Sequence, residues 1–232
     1  MRVAARVRST VAAGLVPCPI EHPRCLGAHG SVEVCRAAIC AVHCLNLAGA
    51  FDRLTVDGRL PGMTVPTDDR TEPPTMGDER ATLIGFLEFQ RQTLAWKCTG
   101  LNLDQLRTRG VLPSTMSLLG IVLHLADVER SWFQRRVANL DIAPIFWSDA
   151  DPDGDFEAAD RLEADEAFAV WHRECERSRE ILASVDSLDH TFKSREGTPS
   201  VRWLLAHMIE EYARHNGHAD LLRERLDGAT GE

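Results

Sequence analysis

From Asp78 to the end of the chain, apolar residues recur at intervals of three and four in four separate stretches, and no part of it reads convincingly as a strand. That spacing gathers apolar side chains on one stripe of a helix, and four such stripes bury one another most simply as a bundle. The first stretch, residues 79–97, carries Leu83, Phe86, Leu87, Leu94 and Trp96, with Asp78 placed to cap its start and Gly100 to end it. After a turn around Asn102–Arg107 and Pro113, a second stretch can be capped by Ser114, Thr115 or Ser117. It reaches about Val137 with Leu118, Ile121, Leu125, Val128 and Trp132 on its stripe. A third, about Leu162–Ala183, turns Phe168, Trp171 and Cys175 inward, and a fourth, capped by Ser200, runs to about Leu226. The fold expected is all-α, a four-helix bundle over residues 76–232.

Composition supports a buried core and narrows the partners. Of 232 residues, 44% are hydrophobic and 26% charged, ordinary proportions for a soluble globular protein. A net charge of −9 argues against nucleic acid or an anionic membrane as the main target. No run approaches the roughly 18 consecutive apolar residues of a spanning helix.

The first 62 residues are different in character. They hold five of the seven cysteines, Cys18, Cys25, Cys35, Cys40 and Cys44, and lack the periodicity of the later segments. A Pro/Thr/Asp-rich stretch, Pro61 to Thr75, then reads as a disordered lead-in. Basic residues are almost all arginine, with only Lys97 and Lys193 as lysines, a bias typical of GC-rich coding in which reading frames extend easily upstream. Residues 1–75 are therefore expected to be an extension and linker without stable structure, residues 1–62 being translated upstream sequence and Met63 a plausible initiator. Two other readings are weaker. Arg2, Arg6 and Arg8 before Val11–Val16 imitate a signal peptide, but the apolar run is short and no clean Ala-x-Ala site comes after it. Cys35, Cys40 and Cys44 with His43 could bind zinc, but their spacing is not that of paired C-x2-C knuckles.

The chemistry lies in the second and fourth helices. His124 is three after Ile121 and four before Val128, so it points along the apolar stripe. A lone histidine there is most simply a core residue hydrogen-bonded to a carbonyl or carboxylate. The fourth helix adds His207, Glu211, His215 and His218 at spacings of four, four and three, on the side that also carries Leu204 and Leu222. Burying such a run without partners costs several kcal/mol, which a metal ion offsets by taking the lone pairs. Glu211 and His215, one turn apart, can ligate one ion together, and His124 completes a set of two imidazoles and one carboxylate with a position left open. Zinc, iron, manganese or nickel suits that set. Spacing alone leaves the pairs His207/Glu211 and His215/His218 as alternatives. Tyr212 and Asp220 are candidates to fix the outer nitrogen of a bound histidine.

The strings DERATLIGFLEFQRQTLAWKC, LLGIVLHLADVERSWF, AFAVWHRECERSR and MIEEYARHNGHADLLRERLDGATGE give Asp78–Glu232, roughly two thirds of the chain, a further meaning. They resemble the DinB/YfiT-type metal-dependent helical bundles, and within them the actinobacterial branch that includes the mini-circle protein of an insertion element. The resemblance implies His124, Glu211 and His215 as ligands. A carboxylate at position 211 departs from the three-histidine form but matches mycothiol-dependent maleylpyruvate isomerase-like members. It leaves His207 outside the site and His218 as an outer or substrate-facing residue. It also implies a divalent metal, zinc before nickel, iron or manganese, and mycothiol as cosubstrate with a small electrophile. The activity implied is a thiol S-transferase or isomerase, in a cytoplasmic protein forming a homodimer. The alternatives are a non-catalytic metal-binding bundle and a hydrolase acting through metal-bound water.

Two lesser signals remain. Asp149, Asp151, Asp153, Asp155 and Asp160 imitate a calcium loop, but Pro144, Pro152 and an Asp in the twelfth place argue for a solvated acidic loop instead. Cys98 and Cys175 sit beside no evident base and read as packing residues.

Overall fold

In the computed structural model, residues 68–195 and 197–230 are described. The extension with its cysteine cluster, the signal-like segment and Met63 lie outside them. Helix α1 spans Glu79–Cys98, α2 Leu103–Arg107, α3 Leu118–Glu129, α4 Gly154–Glu157, α5 Ala164–Ala183 and α6 Val201–Asp227. The four long helices fall where the periodicity puts them, and the described residues form no strand, only isolated bridges such as Thr191 with Ser200. No described helix is long and apolar enough to cross a membrane.

The ends are set by local chemistry. Asp78 accepts from the amide of Ala81 at 2.7 Å, Ser117 from Gly120 at 3.1 Å and Ser200 from Trp203 at 3.3 Å, so of the three caps open for the second long helix Ser117 is used. Asn102 and Gln105 exchange side-chain bonds in a capping box, turning the turn foreseen at 102–107 into α2. Helix α6 ends on Gly228 at φ +77°, a left-handed cap that glycine reaches without strain. Helix α3 continues from Arg130 to Val137 with π-type bonding, the amide of Ala138 reaching the carbonyl of Phe133 at 2.9 Å.

Helix α1 packs along α6 and α3 along α5, with α3 and α6 also in contact. Leu87 and Leu94, Ile121 and Leu125, Trp171 and Cys175, and Leu204 and Met208 fill the space between them. Within the expected stripes Val128 and Phe168 are only half buried, and Phe86 is 45% exposed. Cys98 and Cys175 are buried thiols, as expected; burial pushes the Cys98 thiol up to about 12.

The lead-in differs from expectation where it is described. Instead of being disordered, residues 68–78 lie along α1, where Arg70 is held between the rings of Phe89 and Trp96, 4.7 and 4.6 Å from their centroids. Its guanidinium donates to Thr93 Oγ1 at 2.9 Å, and the amide of Thr71 donates to Gln92. Pro74 closes on Gly85, where an added Cβ would lie 2.4 Å from the proline Cδ. One cation between two aromatic faces thus fastens a segment whose composition alone suggested disorder.

Candidate metal centre

His124 reaches the site from α3, and Glu211 and His215 reach it from successive turns of α6. His124 Nε2 is 3.3 Å from Glu211 Oε1, and the same oxygen is 3.6 Å from His215 Nε2. One ligand atom from each of the three lies within 4.8 Å of the others, and among the described residues theirs is the group of three or more His, Cys, Asp or Glu so placed. Two donors on one tetrahedral zinc, each about 2.0–2.1 Å from it, are about 3.3–3.4 Å apart, so the spacing already approaches that of ligands on a single ion. The His215 side chain is 9% exposed, whereas His124 and Glu211 keep about a fifth of theirs open to solvent. The cluster is therefore walled on one side and reachable on the other.

Its electrostatics are those of a proton held where a cation would sit. Burial disfavours the His124 imidazolium, yet hydrogen bonds to Asp155 and Glu211 outweigh that and raise its pKa to about 9. The same contacts from His124 and His215 hold the Glu211 carboxyl far below its usual range despite partial burial. His215 Nδ1 is buried without a hydrogen-bond partner. Two imidazole Nε2 atoms set about one ionised carboxylate oxygen are a donor set that fits a divalent ion.

Asp155 is the residue that sequence reasoning missed. Its Oδ2 lies 2.7 Å from His124 Nδ1, and its side chain is 7% exposed. A carboxylate there keeps the proton on Nδ1, so the proton that a cation would displace is the one on Nε2. The next residue, Phe156, stacks on His124, with ring centroids 4.6 Å apart and planes 15° from parallel. The acidic loop is thus not wholly solvated. Its carboxylates do not gather into a metal-binding group, and Asp155 is turned inward while Asp149, Asp151, Asp153 and Asp160 stay exposed. The two residues put forward to fix a histidine's outer nitrogen are engaged elsewhere. The Tyr212 hydroxyl donates to Glu129 at 2.8 Å, and Asp220 pairs with Lys97.

The other two histidines of α6 separate cleanly. His207 stacks on Trp203 at 5.0 Å and meets Trp132 edge-on at 4.7 Å, in an aromatic cluster of its own. His218 lies edge-on to His215 at 5.3 Å, its Nδ1 buried without a hydrogen-bond partner. Burial, with the neighbouring His215 and Arg214, lowers its pKa below the usual histidine range.

A family model described as Mycothiol-S-transferase matches residues 82–228, from the first turn of α1 to the cap of α6. No curated protein matches the chain.

Proposed function

This chain belongs to the mycothiol-S-transferase family, within the DinB/YfiT-like bundles that its sequence resembles, and on that footing we propose that it joins mycothiol to a small electrophile at a divalent metal, zinc first among the candidates, held by His124, Glu211 and His215. The observation that carries this reading is the spacing of the three donors, 3.3 and 3.6 Å about one carboxylate oxygen. A divalent ion in such a site supplies an open position at which a thiol loses its proton and is held as thiolate.

The protein's own groups do the rest. Asp155 keeps His124 Nδ1 protonated, so that Nε2 faces the site as a donor. With an ion held there, Glu211 would bring a negative charge that an all-histidine set lacks, which would favour a more nucleophilic thiolate. His218, whose ring centroid lies 5.3 Å from that of His215, is the residue we assign to accept the proton that the thiol gives up. Phe156 covers one face of His124 and keeps water from it. The thiolate sulfur would then bond to the electrophilic carbon as the leaving group departs with its electron pair.

Two measurements test this. Incubated with mycothiol and monobromobimane, the zinc-loaded protein is expected to form the thioether and release bromide faster than the uncatalysed mixture, and Glu211→Ala is expected to return the rate to background. Stoichiometric metal with no rate above background sinks the transferase reading and leaves a non-catalytic bundle. Separately, Asp155→Asn is expected to weaken zinc binding by about 10–100-fold, because His124 loses the group that fixes its tautomer. A competition titration with a chromogenic chelator reads that loss.

A further inference from the structure

Asp127 is 2% exposed on α3, three residues beyond His124, and among the described residues its hydrogen-bond donors are backbone amides. It accepts the consecutive amides of Ile145 and Phe146, at 2.6 and 2.8 Å. Successive backbone N–H groups converging on one carboxylate make a closed anion nest, here with the anion supplied by the protein itself. The loop that leaves α3 after Val137 is thereby pinned back onto α3 beside the turn that carries His124.

The same loop then delivers Asp155 and Phe156 to the His124 ring. Its pinned part and its delivering part touch through Gly154. A Cβ added there would lie 2.7 Å from the carbonyl oxygen of Phe146 and 2.7 Å from Asp151 Oδ2, so there is no slack between residue 146 and residue 154. The loop is also tight against α3 at Gly120, whose added Cβ would meet the Phe156 carbonyl at 3.1 Å. From Asp127 the contacts run to Phe146, to Gly154, to Asp155 and back to His124, a circuit that begins and ends on adjacent turns of one helix.

We infer that Asp127 is a positioning residue for the metal site, holding the loop so that Asp155 fixes His124. The inference rests on the reading of His124, Glu211 and His215 as metal ligands. Asp127→Asn removes one acceptor oxygen and sets an amide group against the backbone N–H donors, so the loop loosens while the helices keep their own hydrogen bonds.

The test is a double-mutant cycle read by zinc affinity, with amide exchange as a second readout. Asp127→Asn is expected to weaken zinc binding about 10-fold, within the range for residues that orient a ligand. The double variant Asp127→Asn/Asp155→Asn is expected to bind about as weakly as Asp155→Asn alone, because both changes act through one contact. Amides 145 and 146 should exchange faster in Asp127→Asn while those of α1 and α6 keep their protection. Wild-type zinc affinity in Asp127→Asn, or penalties that multiply in the double variant, overturns the inference and leaves the metal reading intact. So does loss of protection throughout α1 and α6, which marks a general structural role. If the wild-type protein binds no stoichiometric zinc, the metal reading falls and the inference falls with it.

Discussion

His124→Ala is expected to abolish stoichiometric zinc binding, a loss well beyond the roughly 10–100-fold caused by removing a residue that merely orients a ligand. Glu211 and His215 would remain on one turn of α6, but with no donor from α3 to close the set across the bundle. Metal content after purification, compared between wild type and variant, checks this; equal content in both would refute the site. A dependence on pH accompanies it. In the metal-free protein His124 holds a proton up to about pH 9, and an incoming cation must displace it. Zinc affinity should therefore climb about tenfold per pH unit toward pH 9 and then level off. About one proton should be released per ion bound between pH 7 and 8, as shown by a titration in weak buffer. The metal-free fold responds in the opposite sense. The raised His124 pKa contributes stability that is complete below about 6.5 and is lost as pH rises through about 9. The depressed Glu211 pKa contributes stability complete above about 4.5 and lost as pH falls toward its folded value. Without metal, the cluster is most stabilising between those limits, at about pH 4.5–6.5. With metal, the optimum moves upward.

Helix positions, the inward facing of His124 on α3 and the shared face of His207, Glu211, His215 and His218 on α6 were legible because each depends on spacing along one helix. A histidine on an apolar stripe must face the interior, and residues four apart share a face. Selection among the four polar residues of α6 was not legible from spacing, since His207 is as well placed as Glu211 until Trp203 and Trp132 enclose it. Asp155 was hidden for a different reason. It lies 31 residues from His124 in a loop whose path is fixed by Asp127 and Gly154 rather than by any repeat. Among several acidic neighbours, nothing in its own residue type separates it from the exposed ones. Arg70 was hidden likewise, because packing between two rings of α1 outweighs what proline- and threonine-rich composition suggests. Periodicity reports which face of an element is buried. It is silent on which polar groups from two elements meet within the buried space, and Glu129 is the largest instance.

Glu129→Leu is expected to destabilise the protein by about 3–5 kcal/mol, the cost of stranding a buried charge. Glu129 is fully buried, and its carboxylate takes a paired contact from Arg91, itself 4% exposed, at 2.8 and 2.7 Å. The Tyr212 hydroxyl, which burial and the neighbouring Cys175 and Glu129 keep protonated, donates to the same carboxylate. Trp171 Nε1–H donates to that hydroxyl at 2.9 Å, and Cys175 Sγ lies 3.6 Å from it. Arg91 belongs to α1, Glu129 to α3, Trp171 and Cys175 to α5 and Tyr212 to α6, so one polar network joins all four long helices. A buried pair is weak evidence of stability in itself, since apolar groups of similar volume often replace both partners at little cost. The double variant Arg91→Met/Glu129→Leu should therefore recover most of what either single change loses, and urea unfolding of the three variants reads the difference. Recovery would mean that the network's main effect is register rather than stability. Glu129 lies five residues after His124 on α3, and Tyr212 directly follows Glu211 on α6. The alignment of α3 with α6 that joins Glu129 to Tyr212 is thus the one that sets His124 against Glu211. A double variant that regains stability yet binds zinc more weakly would locate that alignment in the buried polar network; unchanged affinity would assign it to the apolar packing around Leu125 and Met208.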